Sequence, residues 1–178
     1  MVKPKENLIG LLGGSFDPPH KGHLEISQIA LKKLKLKKVF WVVTKKNPLK
    51  NKPYFSLKKR IYLCKNITKR NSKIEVKYID DRINSSRFID VMKFFRKRFS
   101  GQIFYLIIGA DCLLTFHKWR SWKKIIKLCK LLVFSRKGFD LKSKKSIIVR
   151  YLYKNKVKFA KNKMINISSS DIRNKIKT

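Results

Sequence analysis

Apolar and polar positions change period several times along this chain, and each change marks a boundary between elements. Leu8, Ile9, Gly10, Leu11 and Leu12 form a near-continuous apolar run, the pattern of a strand buried on both faces of a parallel sheet. Behind it Ile26, Ile29, Ala30 and Leu34 recur at i, i+3, i+4 and i+8, one face of a helix. The sequence then repeats this alternation. Residues 39–43 predict a second buried strand, Leu57, Ile61 and Cys64 the core face of a second helix, residues 74–79 a third strand and residues 88–99 a third helix. Residues 103–108 are again almost wholly apolar and run into Gly109, Ala110 and Asp111 as a turn. Trp122, Ile125, Ile126 and Cys129 give another helical stripe, and residues 131–134 another strand. The remainder predicts a helix over 146–155, a short strand over 164–167 and a terminal helix from Ser170. Strands alternating with helices imply an α/β fold built on a doubly wound parallel sheet, and no repeat, linker or low-complexity insert divides residues 1–178 into more than one domain.

The junction between the first strand and the first helix reads G-G-S-F-D-P-P-H-K-G-H, from Gly13 to His23. Gly13 and Gly14 allow close backbone approach to a ligand, Pro18 and Pro19 stiffen the loop, and a helix opening near Gly22 aims unpaired amides at an anion. His20 and His23, three apart, project toward one place. The loop suits phosphate, yet it is neither G-x-x-x-x-G-K-[ST] nor G-x-G-x-x-G, so two familiar phosphate loops are excluded. A histidine pair on a first helical turn also caps, packs or binds metal in other proteins. Zinc needs further ligands, and Cys64, Cys112 and Cys129 form no C-x-x-C pair.

Charge competes with an enzyme reading. The 46 Lys and Arg against 10 Asp and Glu give a net charge of +36, which ordinarily points to nucleic acid. The cations are scattered, however, as at Lys32, Lys33, Lys35, Lys37 and Lys38 and again at Lys123, Lys124, Lys127 and Lys130, rather than gathered on one stripe. Scattering favours a solvated surface with weak, salt-dependent polyanion binding and faster encounter with nucleotides. The 43% hydrophobic content suits a globular core. The opening residues 1–7 are too polar for a secretory signal, no apolar run reaches membrane-spanning length, and three unclustered cysteines fit a reducing compartment. A cytoplasmic protein with no membrane association is expected.

The Gly13–His23 string resembles the signature of the H-x-G-H nucleotidyltransferase superfamily, in particular its nicotinate-mononucleotide adenylyltransferase branch. Three further blocks follow in that family's order: Gly109, Ala110 and Asp111 with Trp119 and Trp122 in W-x-x-W spacing; Ser135, Arg136, Lys137 and Gly138, similar to its R-P-G turn; and Ile167 to Arg173, I-S-S-S-D-I-R. The resemblance implies a Rossmann-like fold. It also implies adenylyl transfer from ATP to nicotinate mononucleotide, giving nicotinate adenine dinucleotide and pyrophosphate, with Mg2+ as the ATP counterion.

The family pattern assigns roles residue by residue. His20 and His23 contact the ATP phosphates, with Arg173 adding a forked cation, and backbone amides from Gly14, Ser15 and Phe16 line the nucleotide. Ser169 and Ser170 meet the β- and γ-phosphates; read alone, S-S-S-D is equally an ordinary helix cap. Asp111 accepts from the ATP ribose or makes a local turn bond. Lys50 and Arg136 supply cations for the mononucleotide phosphate, Trp119 stacks on the nicotinate ring, and Trp122, on the apolar stripe, belongs to the core. Asp17 shapes the loop. Where the family carries a Tyr-Thr pair before the third helix, this chain has Arg87 and Phe88 as the acceptor-recognising pair, so the acceptor stays open to nicotinamide mononucleotide or phosphopantetheine. A basic nucleic-acid-binding protein without catalysis is the alternative from another class.

Overall fold

Side chains on the central strands point alternately to two separate cores, which is why the apolar runs are nearly continuous. Ile9, Leu11, Phe40, Val42, Phe104, Leu106, Ile108, Leu131 and Val133 face one side. Leu12, Val39, Trp41, Val43, Tyr105, Ile107, Leu132 and Phe134 face the other. This computed structural model describes residues 7–47, 51–152, 156–161 and 167–177.

The strands are β1 (Leu8–Gly14), β2 (Lys38–Val43), β3 (Ile74–Lys77), β4 (Ile103–Gly109), β5 (Lys130–Phe134) and β6 (Val157–Ala160). They form one sheet in the order β3-β2-β1-β4-β5-β6, with every neighbouring pair parallel. The helices are α1 (Lys21–Lys33), α2 (Leu57–Thr68), α3 (Asp80–Ile83), α4 (Phe88–Arg98), α5 (Ala110–Thr115), α6 (Trp122–Leu128), α7 (Asp140–Lys144), α8 (Ile147–Tyr151) and α9 (Ser169–Lys177), with a 3-10 turn at Phe116–Lys118. Ala30 of α1 and Cys64 of α2 close one core; Ile89, Val91, Met92 and Phe95 of α4, with Ile125 and Ile126 of α6 and Ile148 of α8, close the other. The expected doubly wound parallel sheet is therefore present. In such a sheet the strand order reverses between β1 and β4, and the crevice beyond their carboxyl ends is where ligands bind.

Several boundaries differ from those the sequence predicts. Of the G-A-D segment, Gly109 ends β4 while Ala110 and Asp111 open the short helix α5 rather than a turn, and β3 ends at Lys77, two residues early, because Ile79 precedes α3. Cys129 is buried but lies past the end of α6 in extended backbone. Of the helix expected over 146–155 the structure shows α8 at Ile147–Tyr151, started by the Ser146 hydroxyl accepting from Val149 N–H, while α7 at Asp140–Lys144 falls where no helix is expected; residues 153–155 lie outside the described residues. The last strand is at Val157–Ala160. Of the expected strand at 164–167, residues 164–166 lie outside the described residues and Ile167 is not in a strand. The terminal helix begins at Ser169, one residue earlier than expected.

Candidate active site at the β1–β4 crevice

The turn after β1 is built from the core outward. Phe16 has a left-handed backbone (φ 49°), costly for an aromatic residue, and its ring is buried in compensation, stacked on Trp41 at 5.0 Å and tilted against His23 at 5.0 Å. Trp41 is itself fully buried, so its indole N–H needs an acceptor and finds the Ser27 hydroxyl at 2.8 Å; Ser27 donates in turn to the His23 carbonyl at 2.8 Å. The His23 ring thus rests on Phe16 and Trp41. Its Nδ1 accepts from the His20 backbone N–H at 3.2 Å, which leaves the proton of a neutral imidazole on Nε2.

His20 ends the turn as the residue preceding α1, its ring 3.9 Å from that of His23. It is half-buried, and its Nδ1 is a buried atom without a hydrogen-bond partner among the described residues. Burial, and then the positive charge of Arg136, lower its pKa to about 4, opposed by the carboxylate of Asp171. With that value His20 is neutral at pH 7. The sign of its effect on stability follows directly: the unfolded chain, with an ordinary value of 6.5, takes up this proton first as pH falls. The stabilisation from keeping His20 neutral is full above pH 6.5 and lost on descending toward pH 4. Thermal melts of the wild type and His20→Gln across that window test this, with the variant expected to show the shallower decline. Equal slopes would remove His20 as a source of acid sensitivity.

The terminal helix docks on this turn. Ser169 Oγ donates to Pro18 O at 2.9 Å, Arg173 Nη1 donates to Asp17 O at 2.5 Å, and Nη1 lies 3.7 Å from Asp17 Oδ2. The three serines divide the work. Ser168 and Asp171 form a reciprocal cap, the hydroxyl accepting from Asp171 N–H at 3.1 Å while Asp171 Oδ2 accepts from Ser168 N–H at 2.9 Å and Oγ–H at 2.7 Å. These hydrogen bonds hold the Asp171 carboxyl below its ordinary pKa. Ser169 is therefore free of capping duty and reaches the first loop, while Ser170 Oγ accepts from Arg173 Nη2 at 3.0 Å.

The remaining candidates approach from β4, β5 and α4. Asp111, in the first turn of α5, lies 3.8 Å from Arg136 Nε, and its carboxylate folds back over Gly109, where an added Cβ would collide with Oδ1. Arg136 N–H is fixed by Asp140 Oδ1 at 2.8 Å. Arg136 is thus brought to Asp111 and His20. Phe88 lies against the end of β1, where a Cβ on Gly13 would sit 3.4 Å from its ring, and Trp119 meets Phe88 edge-on at 5.6 Å. Arg87 is exposed immediately before α4. Trp122 is half-buried, edge-on to Tyr151 at 5.0 Å, at the margin of the core. Lys50 lies outside the described residues.

Asp17 proves to do more than shape its loop: its carboxylate accepts from Tyr54 N–H at 2.7 Å and Phe55 N–H at 2.8 Å, tying the turn after β1 to the segment that leads into α2. Trp41, Ser27, Arg60 and Asp80 also support the site and were not singled out from the sequence. Among the described residues no three His, Cys, Asp or Glu side chains group as a metal site. Cys64 and Cys129 are buried, with thiol pKa values pushed up to about 12 by that burial. No helix among the described residues is long and apolar enough to cross a membrane. A cavity of about 500 Å³ between α4 and β3 shares none of the motif residues, and its cationic rim is what any groove shows on a chain of net charge +36.

Residues 11–175 match the cytidylyltransferase-like family. The chain is 48% identical over 179 residues to the "Probable nicotinate-nucleotide adenylyltransferase" of Pelagibacter ubique (strain HTCC1062), covering 97% of this chain and 99% of that protein. It is 37% identical over 143 residues to the protein of the same name from Cereibacter sphaeroides (strain ATCC 17025 / ATH 2.4.3), covering 80% and 77%. In fold it is similar to Plasmodium falciparum nicotinic acid mononucleotide adenylyltransferase complexed with NaAD, at a TM-score of 0.74 and 20% identity over 95% of this chain and 83% of that one. A match that runs from the middle of β1 into α9 takes in both segments that meet at the crevice, and the chain belongs to the cytidylyltransferase-like family, within its nicotinate-nucleotide adenylyltransferases.

Proposed function

We propose that this chain, acting as one nucleotidyltransferase domain, transfers the adenylyl group of ATP to nicotinate mononucleotide, with nicotinate adenine dinucleotide and pyrophosphate as products. One observation carries the reading: the backbone of Asp17 and Pro18 is hydrogen-bonded to Arg173 and Ser169, so a histidine pair, a helix N-terminus and a forked cation share the β1–β4 crevice. A phosphate oxygen of the mononucleotide attacks the α-phosphorus of ATP. The bond from that phosphorus to the bridging oxygen breaks, and pyrophosphate leaves with the electron pair. The attacking oxygen is already mostly ionised at neutral pH, so no protein base is required. The protein aligns two anions and stabilises the charge that develops on the α-phosphate and the departing pyrophosphate.

In this scheme His20 and His23 donate to the phosphates, and the amides of Gly14, Ser15 and Phe16 line the nucleotide. Ser169, Ser170 and Arg173 take the β- and γ-phosphates at the opening of α9. Asp111, steadied by Arg136, accepts from the ribose. Trp119 stacks on the pyridine with Phe88 beside it, Arg87, exposed just before α4, faces the carboxylate, and Lys50 with Arg136 serves the mononucleotide phosphate. Mg2+ enters as part of the substrate, carried by ATP phosphate oxygens and water. The chain is expected in the cytoplasm, with weak, salt-sensitive attraction to other polyanions as a by-product of its charge.

A second reading keeps the chemistry and changes the acceptor, because Arg87 and Phe88 stand where the resemblance expects Tyr-Thr. Purified protein with ATP, Mg2+ and either nicotinate or nicotinamide mononucleotide separates the two. The cation of Arg87 favours the carboxylate, so at least about tenfold higher kcat/KM is expected for nicotinate mononucleotide, the scale of one charge-assisted hydrogen bond. Turnover only with nicotinamide mononucleotide would transfer the assignment to the second reading, and none with either would remove both.

A further inference from the structure

Arg60 lies on the apolar stripe of α2 between Leu57 and Cys64 and is 2% exposed. A buried guanidinium is costly, and more so in a chain of net charge +36. Its hydrogen bonds go to main-chain carbonyls from three separate places. Nη1 donates to Ser15 O at 2.6 Å and Thr44 O at 2.8 Å, Nη2 to Lys45 O at 3.2 Å and Nε to Phe55 O at 3.2 Å. Two buried carboxylates grip the same segments. Asp80 Oδ2 accepts from Lys45 N–H at 2.8 Å, Thr44 Oγ1 at 2.9 Å and Ser86 Oγ at 2.7 Å, while Asp17 holds the amides of Tyr54 and Phe55.

The C=O and N–H of one trans peptide unit point in opposite directions. The unit joining Thr44 to Lys45 is therefore clamped on both edges, its oxygen by Arg60 and its nitrogen by Asp80. By the same geometry, drawing Ser15 O onto Arg60 turns the Phe16 N–H away from α2. A lysine could satisfy one or two of these carbonyls, but only a planar fork fixes all of them relative to one another.

We infer that Arg60 is a positioning residue: it sets the register between the turn after β1 and the segment after β2 without touching either substrate. This rests on the proposed function, in which the first segment holds ATP and the second the mononucleotide. In-line attack requires the two phosphates to meet at about 3–3.5 Å, and a displacement of about 1 Å costs roughly 100-fold in rate. The role predicts a loss of turnover with substrate affinity retained.

Steady-state kinetics and thermal melting of Arg60→Lys and Asp80→Asn test it. Arg60→Lys is expected to melt cooperatively, keep KM for ATP and for nicotinate mononucleotide within about threefold, and lose about 30- to 100-fold in kcat. Asp80→Asn leaves Arg60 intact and weakens only the opposite edge of the clamp, so a smaller kcat loss of about 5- to 10-fold at unchanged KM is expected. A folded Arg60→Lys with kcat near wild type overturns the inference, as does a loss that resides wholly in KM. Should Arg60→Lys not fold, wild-type kcat in Asp80→Asn overturns it. Absence of dinucleotide from the wild-type protein would instead overturn the reaction assignment, a different outcome from active wild type with equally active variants.

Discussion

Alanine at position 23 is expected to lower kcat for dinucleotide formation by about 10²- to 10³-fold, the cost of removing one preorganised donor from a developing negative charge. Contacts that set the His23 imidazole include the Phe16 ring at 5.0 Å, the Trp41 edge at 5.9 Å, the His20 ring at 3.9 Å and the His20 N–H on Nδ1. With Nδ1 occupied as acceptor, a neutral ring carries its proton on Nε2, the tautomer that in the proposed reaction donates to a phosphate oxygen. An ionised nucleophile needs no base, so the loss belongs to charge stabilisation and appears in kcat. KM for ATP is expected to change little, since in the proposed scheme the ground-state triphosphate keeps its amide and α9 contacts. Measurement at saturating ATP and nicotinate mononucleotide, with a melting curve to show that the Phe16–Trp41 stack survives, decides the matter. A folded His23→Ala with kcat within about threefold of wild type would remove His23 from the transition state.

How far the sequence discloses this arrangement depends on the range of the interaction. Strands β1, β2, β4 and β5 are legible within one or two residues because their runs are apolar on both faces, a pattern that follows from burial between two helical layers. Strand β6 is not. Val157–Ala160 is a four-residue edge strand in which the adjacent Lys158 and Phe159 are both exposed, so in a lysine-rich stretch it has no alternation by which to stand out. Helices α5, α7 and α8 are five or six residues long, too short for a 3.6-residue period to register. Ser169 and Arg173 were marked by family resemblance, but their contacts with Pro18 and Asp17 span 151 and 156 residues, and no local pattern reports such partners.

Arg60 is the instructive omission. It sits at i+3 from Leu57 and four before Cys64, on the face already read as core, and a cation on a core face is a legible anomaly. Among 46 basic residues, most of them on solvated faces, one such cation does not stand out. Asp80 was hidden differently, since a carboxylate in a loop-like stretch gives no sign of being buried around the Thr44–Lys45 peptide.

Arg173→Ala is expected to lower turnover by about 100-fold and raise KM for ATP, while KM for the mononucleotide stays near wild type. The asymmetry comes from how Asp17 is bonded. Removing the guanidinium strips one cation from Asp17 and one donor from its carbonyl, but the carboxylate keeps the Tyr54 and Phe55 amides at 2.7 and 2.8 Å, so the acceptor side remains anchored. The nucleotide side does not. Helix α9 has nine residues, below the length of about 12–15 at which an isolated helix holds itself in water, and Ser169 Oγ on Pro18 is a single neutral hydrogen bond. Under the proposed function, loss of Arg173 would therefore remove a phosphate cation and also loosen the element that carries Ser169 and Ser170. Hydrogen exchange should accelerate over 167–177 and remain unchanged in β1, and Arg173→Lys should recover part of the ATP affinity through its charge but little of the turnover, because an ammonium cannot bridge Asp17 O and Ser170 Oγ in one plane. Equal KM rises for both substrates would mean that the whole crevice depends on α9. Wild-type kinetics in Arg173→Ala would detach α9 from the reaction altogether.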